Sequence, residues 1–163
     1  MGVFLFFVVC SFFSLIYYTI RLGISPMPTS LRVLRVVDTV LPERLEGTVV
    51  EMGSGWGHVA FFLACKYKKS KVIGYEKSWV PFLFSKIFYV RVKNLSFKRV
   101  DFKDVSIEEA DLVYCYLFPA GMEMISKKKR NGILISNTFS LPNGKVQKEI
   151  RVSDIYRTKI YLY

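Results

Sequence analysis

The sequence is poor in the residues that hold metals: it contains one histidine, His58, and three cysteines, Cys10, Cys65 and Cys115. The cysteines stand far apart in apolar stretches and form no CxxC pair, which argues against a structural zinc site, and no metal is expected. Their odd number also speaks against a disulfide framework. There is no internal repeat and no low-complexity tract, so neither a solenoid nor a disordered tail is indicated. Acidic residues are scarce as well, with 13 Asp and Glu against 24 Lys and Arg, a formal net charge of +11. Between positions 3 and 20 no residue is charged at all.

That uncharged run is long enough for a helix to cross a bilayer, which takes about 20 residues. A cleaved signal peptide is the rival reading, but no basic residue precedes the run and no A-x-A-like site follows it. Tyr17 and Tyr18 suit an interfacial belt, and Arg21, Arg32 and Arg35 follow the run. By the positive-inside rule this places the rest of the chain on the cytoplasmic side, or the matrix side in an organelle. Every Lys and Arg lies beyond the run, so the remainder carries the whole positive charge and calls for an acidic partner. Nucleic acid or anionic lipid would serve; with an anchor present the membrane lipid is favoured and nucleic acid is not expected. The expected division is an anchor over residues 1–22, a linker and accessory helix over 23–46, and one domain over 47–163.

Beyond Ser25-Pro-Met-Pro28, a break between anchor and domain, Thr29 or Ser30 can cap a helix to about Leu41, lying on the domain or along the membrane. From Gly47 short apolar runs alternate with longer amphipathic ones, the pattern of a parallel sheet covered by helices. Strands are expected near residues 48–51, 71–76, 96–100, 111–117 and 132–137. Helices are expected near 58–68, 78–92 and 121–129, with a turn around 106–110. The runs 146–152 and 155–163 then read as an antiparallel hairpin. The fold class is α/β, a Rossmann-like sheet ending in that hairpin and preceded by one transmembrane helix.

The strongest motif is Glu51-Met-Gly-Ser-Gly-Trp-Gly57, a strand running into a glycine turn that opens a helix. Gly53, Gly55 and Gly57, with Ser54 between, let the backbone pass close to a ligand at the carboxyl end of a strand, and Glu51 can orient the turn. Binders of S-adenosylmethionine commonly use the form acidic-x-Gly-x-Gly-x-Gly. Glu76, with Lys77 beside it, ends the next strand, where a carboxylate can accept both ribose hydroxyls. Nicotinamide-binding domains share that acid, so a nicotinamide oxidoreductase is an alternative. Glycine spacing, small size and the terminal hairpin favour S-adenosylmethionine, because a dehydrogenase would need a substrate domain for which there is no room.

Taken together, these features resemble the class I methyltransferases. Glu76-Lys-Ser-Trp-Val-Pro-Phe-Leu-Phe-Ser85 and Leu117-Phe-Pro-Ala-Gly-Met122 add a closer resemblance, over nearly the whole chain, to small membrane-anchored lysine methyltransferases. Mitochondrial members of that family modify the ATP synthase c subunit and the adenine nucleotide translocase, and prokaryotes have relatives. The resemblance implies S-adenosylmethionine as cofactor and lysine of a membrane protein as acceptor, the neutral amine attacking the sulfonium methyl in line as adenosylhomocysteine leaves. It implies that Asp101 and Phe102 lie beside the adenine, although a solvated turn aspartate is the plain alternative. It implies too that Tyr116, Phe118 and Pro119 line the acceptor channel, where aromatic faces attract a cationic or methylated nitrogen. Alternation along a strand could equally make one of Tyr114 and Tyr116 a core residue.

Trp56 departs from the family, which often carries an acidic residue between the second and third glycines. No convincing general base stands out, since His58 reads as a packing or capping residue. The run Lys127-Lys-Lys-Arg130 reads as a helix end, where cations meet the negative end of the dipole. A lipid, quinone or other small-molecule methyltransferase, or a non-catalytic cofactor-binding membrane protein, are the remaining alternatives.

Overall fold

The computed structural model describes residues 29–163 together with Gly2 and Val9. The expected anchor and the proline break therefore lie outside the described residues. Among the described residues no helix is long and apolar enough to cross a membrane.

The chain enters through α1 (Leu31–Val40), and then β1 (Thr48–Met52), α2 (His58–Lys66), β2 (Lys71–Glu76), α3 (Trp79–Phe88) and β3 (Leu95–Arg99) follow. A 3-10 turn (Phe102–Asp104) leads to β4 (Leu112–Cys115), α4 (Pro119–Ser126), β5 (Ile133–Asn137), β6 (Lys148–Arg151) and β7 (Lys159–Leu162). The strands form one sheet in the order β3-β2-β1-β4-β5-β7-β6. The first five are parallel, β7 runs antiparallel to β5, and β6 runs antiparallel to β7. The chain builds outward from β1 to β3 and then crosses back to β4, so the connections diverge between β1 and β4. In such sheets ligands bind outside the carboxyl ends of the strands at that switch point.

Alternation along β1 divides the core. Val49 joins Val72 and Leu112 beneath Val59 and Leu63 of α2 and Val33 and Val37 of α1. Val50 and Met52 join Val113 and Leu134 beneath Met122 and Ile125 of α4. With helices on both faces the parallel strands must be apolar on both, hence their near-continuous Val, Ile and Leu. Ser30 caps α1 by accepting from the Val33 amide at 3.3 Å. Burying Val33 and Val37, at about 1.5–3 kcal/mol for a fully buried aliphatic side chain, holds α1 on the sheet.

Two elements are shorter than their apolar patterns. α3 ends at Phe88 rather than near residue 92, because the Val92 amide turns back onto the Tyr89 carbonyl at 3.0 Å to enter β3. β7 begins at Lys159 rather than 155, because Asp154 accepts from both the amide and the hydroxyl of Thr158 and folds the intervening residues into a loop.

Candidate cofactor site

At the end of β1 the chain makes a tight turn across β2. The amides of Gly53 and Ser54 both donate to the Tyr75 carbonyl at 2.9 Å, and the Gly57 amide closes onto the Ser54 carbonyl at 2.8 Å. Gly53, Gly55 and Gly57 all have left-handed backbone, with φ of 73°, 50° and 80°. Two of them differ in an informative way. A Cβ on Gly57 would stand 2.6 Å from the Phe97 ring and 2.8 Å from Cβ of Ser85, whereas a Cβ on Gly55 would meet nothing within 4 Å. Gly57 is thus demanded by packing, and Gly55 leaves open space above the turn.

Glu76 clasps the turn to the entrance of α3. One carboxylate oxygen accepts from the Gly55 amide at 2.8 Å and the other from the Ser78 amide at 2.7 Å. Each oxygen keeps a second lone pair, so the carboxylate retains capacity for further donors. Glu51 lies one strand away, paired with Gly74 of β2 and Tyr114 of β4. Its carboxylate is buried and accepts from the Ala60 amide at 2.7 Å, capping the first turn of α2, whose own cap residue, Gly57, has no side chain. Burial pushes the Glu51 carboxyl well above the usual carboxylate range; the Ala60 bond pulls it back and the Glu76 charge adds to the rise.

Asp101 follows β3 and caps the 3-10 turn through the Lys103 amide at 3.2 Å. Lys77 places its ammonium 2.7 Å from the same carboxylate, so these two expected site residues form an ion pair beside the loop. Burial pushes the Asp101 carboxyl up, but Lys77 and Lys103 outweigh it and hold it below its ordinary value. Phe102 and Phe118 converge over Gly121, where a Cβ would lie 3.2 Å and 3.5 Å from their rings. Tyr116 is half-buried against the opposite core layer, and Pro119 is exposed in the first turn of α4.

A second polar group lies at this edge, beyond the residues expected to hold the cofactor. Tyr114 is fully buried, and its hydroxyl bonds Nδ2 of Asn137 at 3.0 Å, across β4 and β5. Thr29, just before α1, lies within hydrogen-bonding reach of that hydroxyl and donates its amide to Nε2 of His58 at 2.6 Å. The one available signal was Asn137 itself, a polar residue closing the apolar run of β5.

The site fits S-adenosylmethionine in three respects: the open space above Gly55, the spare acceptor capacity of Glu76, and Oγ of Ser54, which is buried without a partner among the described residues. A cleft of about 790 Å³ lies at the other edge, lined by Asp111, Gly132 and Arg130, at the amino ends of β4 and β5. The basic run beside it is tied down: Lys127 pairs with Glu123 at 2.8 Å, and Nζ of Lys128 donates to the carbonyls of Lys103 and Val105.

The same chain trace occurs in an RNA methyltransferase from Salinibacter ruber, solved with S-adenosyl-L-homocysteine. It is 16% identical, with 84% of this chain and 92% of that one covered, at a TM-score of 0.72. A conserved hypothetical protein of Streptococcus pyogenes is 15% identical over 79% of this chain and 92% of that one, at a TM-score of 0.61. The tRNA methyltransferase TrmK of B. subtilis is 17% identical over 83% and 65%, at a TM-score of 0.60. At such identities the likeness is one of fold. No curated protein matches the sequence. Residues 51–148, from the acid at the head of the glycine loop to the first residue of β6, match the ANTKMT methyltransferase domain. The chain therefore belongs to the ANTKMT methyltransferase domain family, and it is a class I methyltransferase with S-adenosylmethionine as its cofactor.

Proposed function

We propose that this methyltransferase modifies lysine side chains of a membrane protein. The observation that carries methyl transfer is the Glu76 clasp on the Gly55 turn at the switch point of the sheet. The acceptor class is supported by the family match and by the uncharged run over residues 3–20, which would hold the domain beside its substrate.

Bound S-adenosylmethionine supplies an electrophilic methyl group. Glu76 would hold the ribose hydroxyls with its remaining lone pairs, and Asp101 and Phe102 would meet the adenine. Gly53, Ser54 and Gly55 would border the aminoacyl part. Phe118 and Tyr116, at the end of β4, would orient the incoming amine and keep water from it. Positioning of this kind accounts for a large share of rate enhancement when two reactants must meet in line. Burial pushes the Cys115 thiol up to about 12 and raises the Tyr114 phenol, so neither takes a proton at neutral pH. The amine would lose its proton to solvent before Phe118 and Tyr116 enclose it.

The test is incubation of the full chain with methyl-labelled S-adenosylmethionine and membranes from its own source, followed by gel separation and mass spectrometry of labelled bands. A labelled lysine in a discrete membrane protein, lost in Glu76→Ala, is expected. Label confined to extracted lipid would replace the protein acceptor by a lipid or quinone, and cofactor binding without any label would make the chain a binder only.

A further inference from the structure

α3 is an anomaly for a helix on the outside of an α/β domain. Pro81, Phe82 and Ser85 face inward, and of the outward positions, which should be polar, Lys86 is charged while Leu83, Phe84, Ile87 and Phe88 are apolar. Ile87 and Phe88 are 71% and 68% exposed, Val90 just beyond the helix is 75% exposed, and Trp79 at its start is 51% exposed. The rings form a continuous surface. Phe84 stacks on Phe88 at 5.2 Å, Phe88 meets Tyr89 edge-on at 5.2 Å, and Trp56 of the glycine loop meets Phe84 edge-on at 5.2 Å. An exposed apolar surface of this extent on a folded domain marks an interaction site.

The charge around it is one-sided. From residue 77 to residue 100 there is no Asp or Glu, while Lys86, Arg91, Lys93, Lys98 and Arg99 fall there beside Lys77, which Asp101 answers. Arg99 lies over the Trp79 ring at 4.0 Å. A second copy docking through the same face would bring two sets of cations together with no carboxylate to answer them. Aromatic and aliphatic side chains rimmed by cations instead complement the acyl boundary and headgroups of an anionic bilayer.

We infer that the outer face of α3 docks into the surface of an anionic lipid bilayer, with Trp79, Ile87 and Phe88 below the headgroups and Lys86, Arg91 and Lys93 among them. Through the Trp56–Phe84 contact this sets the glycine loop at the membrane surface. Acceptors would then be groups presented at headgroup level.

Trp56 and Trp79 are the chain's two tryptophans, so intrinsic fluorescence reports on this face directly. The full chain is reconstituted in phosphatidylcholine vesicles with and without phosphatidylglycerol, and in matched vesicles with acyl chains brominated near the headgroup. Expected are loss of about half or more of the emission to the brominated lipid, protection from acrylamide, and weakening of both when phosphatidylglycerol is omitted. Ile87→Glu with Phe88→Glu, at exposed positions that leave the core intact, is expected to abolish the bromine effect even where residues 3–20 keep the chain on the vesicle. Strong acrylamide quenching without a bromine effect would leave the face in water and overturn the inference. Shielding from both quenchers would mean that protein covers it, whether residues 3–20, another copy or a partner, and would overturn it equally. A bromine effect that survives the double substitution would do the same.

Discussion

The Thr29 amide donates to Nε2 of His58 at 2.6 Å, tying the residue that leads into α1 to the first residue of α2. Because Nε2 accepts, the neutral ring carries its proton on Nδ1, and Nδ1 is buried without a partner among the described residues. Tyr114 and Asn137 lie at the same corner, with Thr29 in reach of the tyrosine hydroxyl. The segment that leads into α1 is thus fastened beside the glycine turn.

The burial of His58 makes stability depend on pH. Burial lowers His58 from its ordinary value of 6.5, so below that pH the unfolded chain binds the extra proton first. The contribution is fully present above 6.5 and is lost as the pH falls from there toward the folded value. His58→Gln keeps an acceptor for Thr29 but does not titrate, so in thermal unfolding from about pH 7.5 to about pH 5 the Tm of the parent should fall relative to that of His58→Gln. A Tm difference that does not change with pH would assign the pH dependence to other groups.

Glu51 acts in the opposite direction. Its folded carboxyl is raised by burial above 4.5, so the folded state holds the proton more tightly, and stability is lost as pH rises from 4.5 through the folded value. Glu51→Gln keeps the acceptor for Ala60 without the charge. In urea titrations of the unliganded protein it should be more stable than the parent at neutral pH, with the advantage gone in acid. Glu51→Ala removes the acceptor and should cost about 1–3 kcal/mol, the penalty of an unsatisfied buried amide.

Most of this fold could be read from the chain because its signals are local. A parallel strand covered on both faces must be apolar throughout, as in Val49, Val50 and Met52, and a glycine turn after such a strand announces a close backbone approach. What sequence could not convey is pairing between distant residues. Lys77 and Asp101 were each legible as site candidates, but their ion pair depends on β2 and β3 ending side by side. Tyr114 looked like one of two alternating tyrosines, and only the β4–β5 register and the docking of Thr29 single it out. The apolar outer face of α3 was hidden for another reason: an all-apolar helix reads as core until the sheet shows which side is covered.

Thiol chemistry offers a check on the core. Cys65 is exposed on α2, whereas Cys115 is buried at the end of β4 with its thiol pushed up to about 12. Native-state alkylation with iodoacetamide at neutral pH should modify Cys65 within minutes and leave Cys115 unmodified until denaturant unfolds the domain. Peptide mapping distinguishes the two, and early labelling of Cys115 would mean that β4 is not packed under α4.

The two glycines of the turn separate folding from binding. Alanine at Gly57 must adopt a φ of 80° and place a methyl 2.6 Å from the Phe97 ring. The left-handed conformation costs about 1–2 kcal/mol and overpacking about 1–3 kcal/mol more, so Gly57→Ala should lose about 2–5 kcal/mol of stability in denaturant titrations. Alanine at Gly55 bears only the conformational cost, since nothing lies within 4 Å of its methyl, and should remain folded. That methyl nevertheless projects into the space assigned to the cofactor. Calorimetry of Gly55→Ala should show S-adenosylmethionine affinity reduced about tenfold or more, equivalent to about 1.4 kcal/mol. Parental affinity in this variant would show that the cofactor does not cross the turn at Gly55, and the contact would then have to be sought at Ser54 and Glu76 instead.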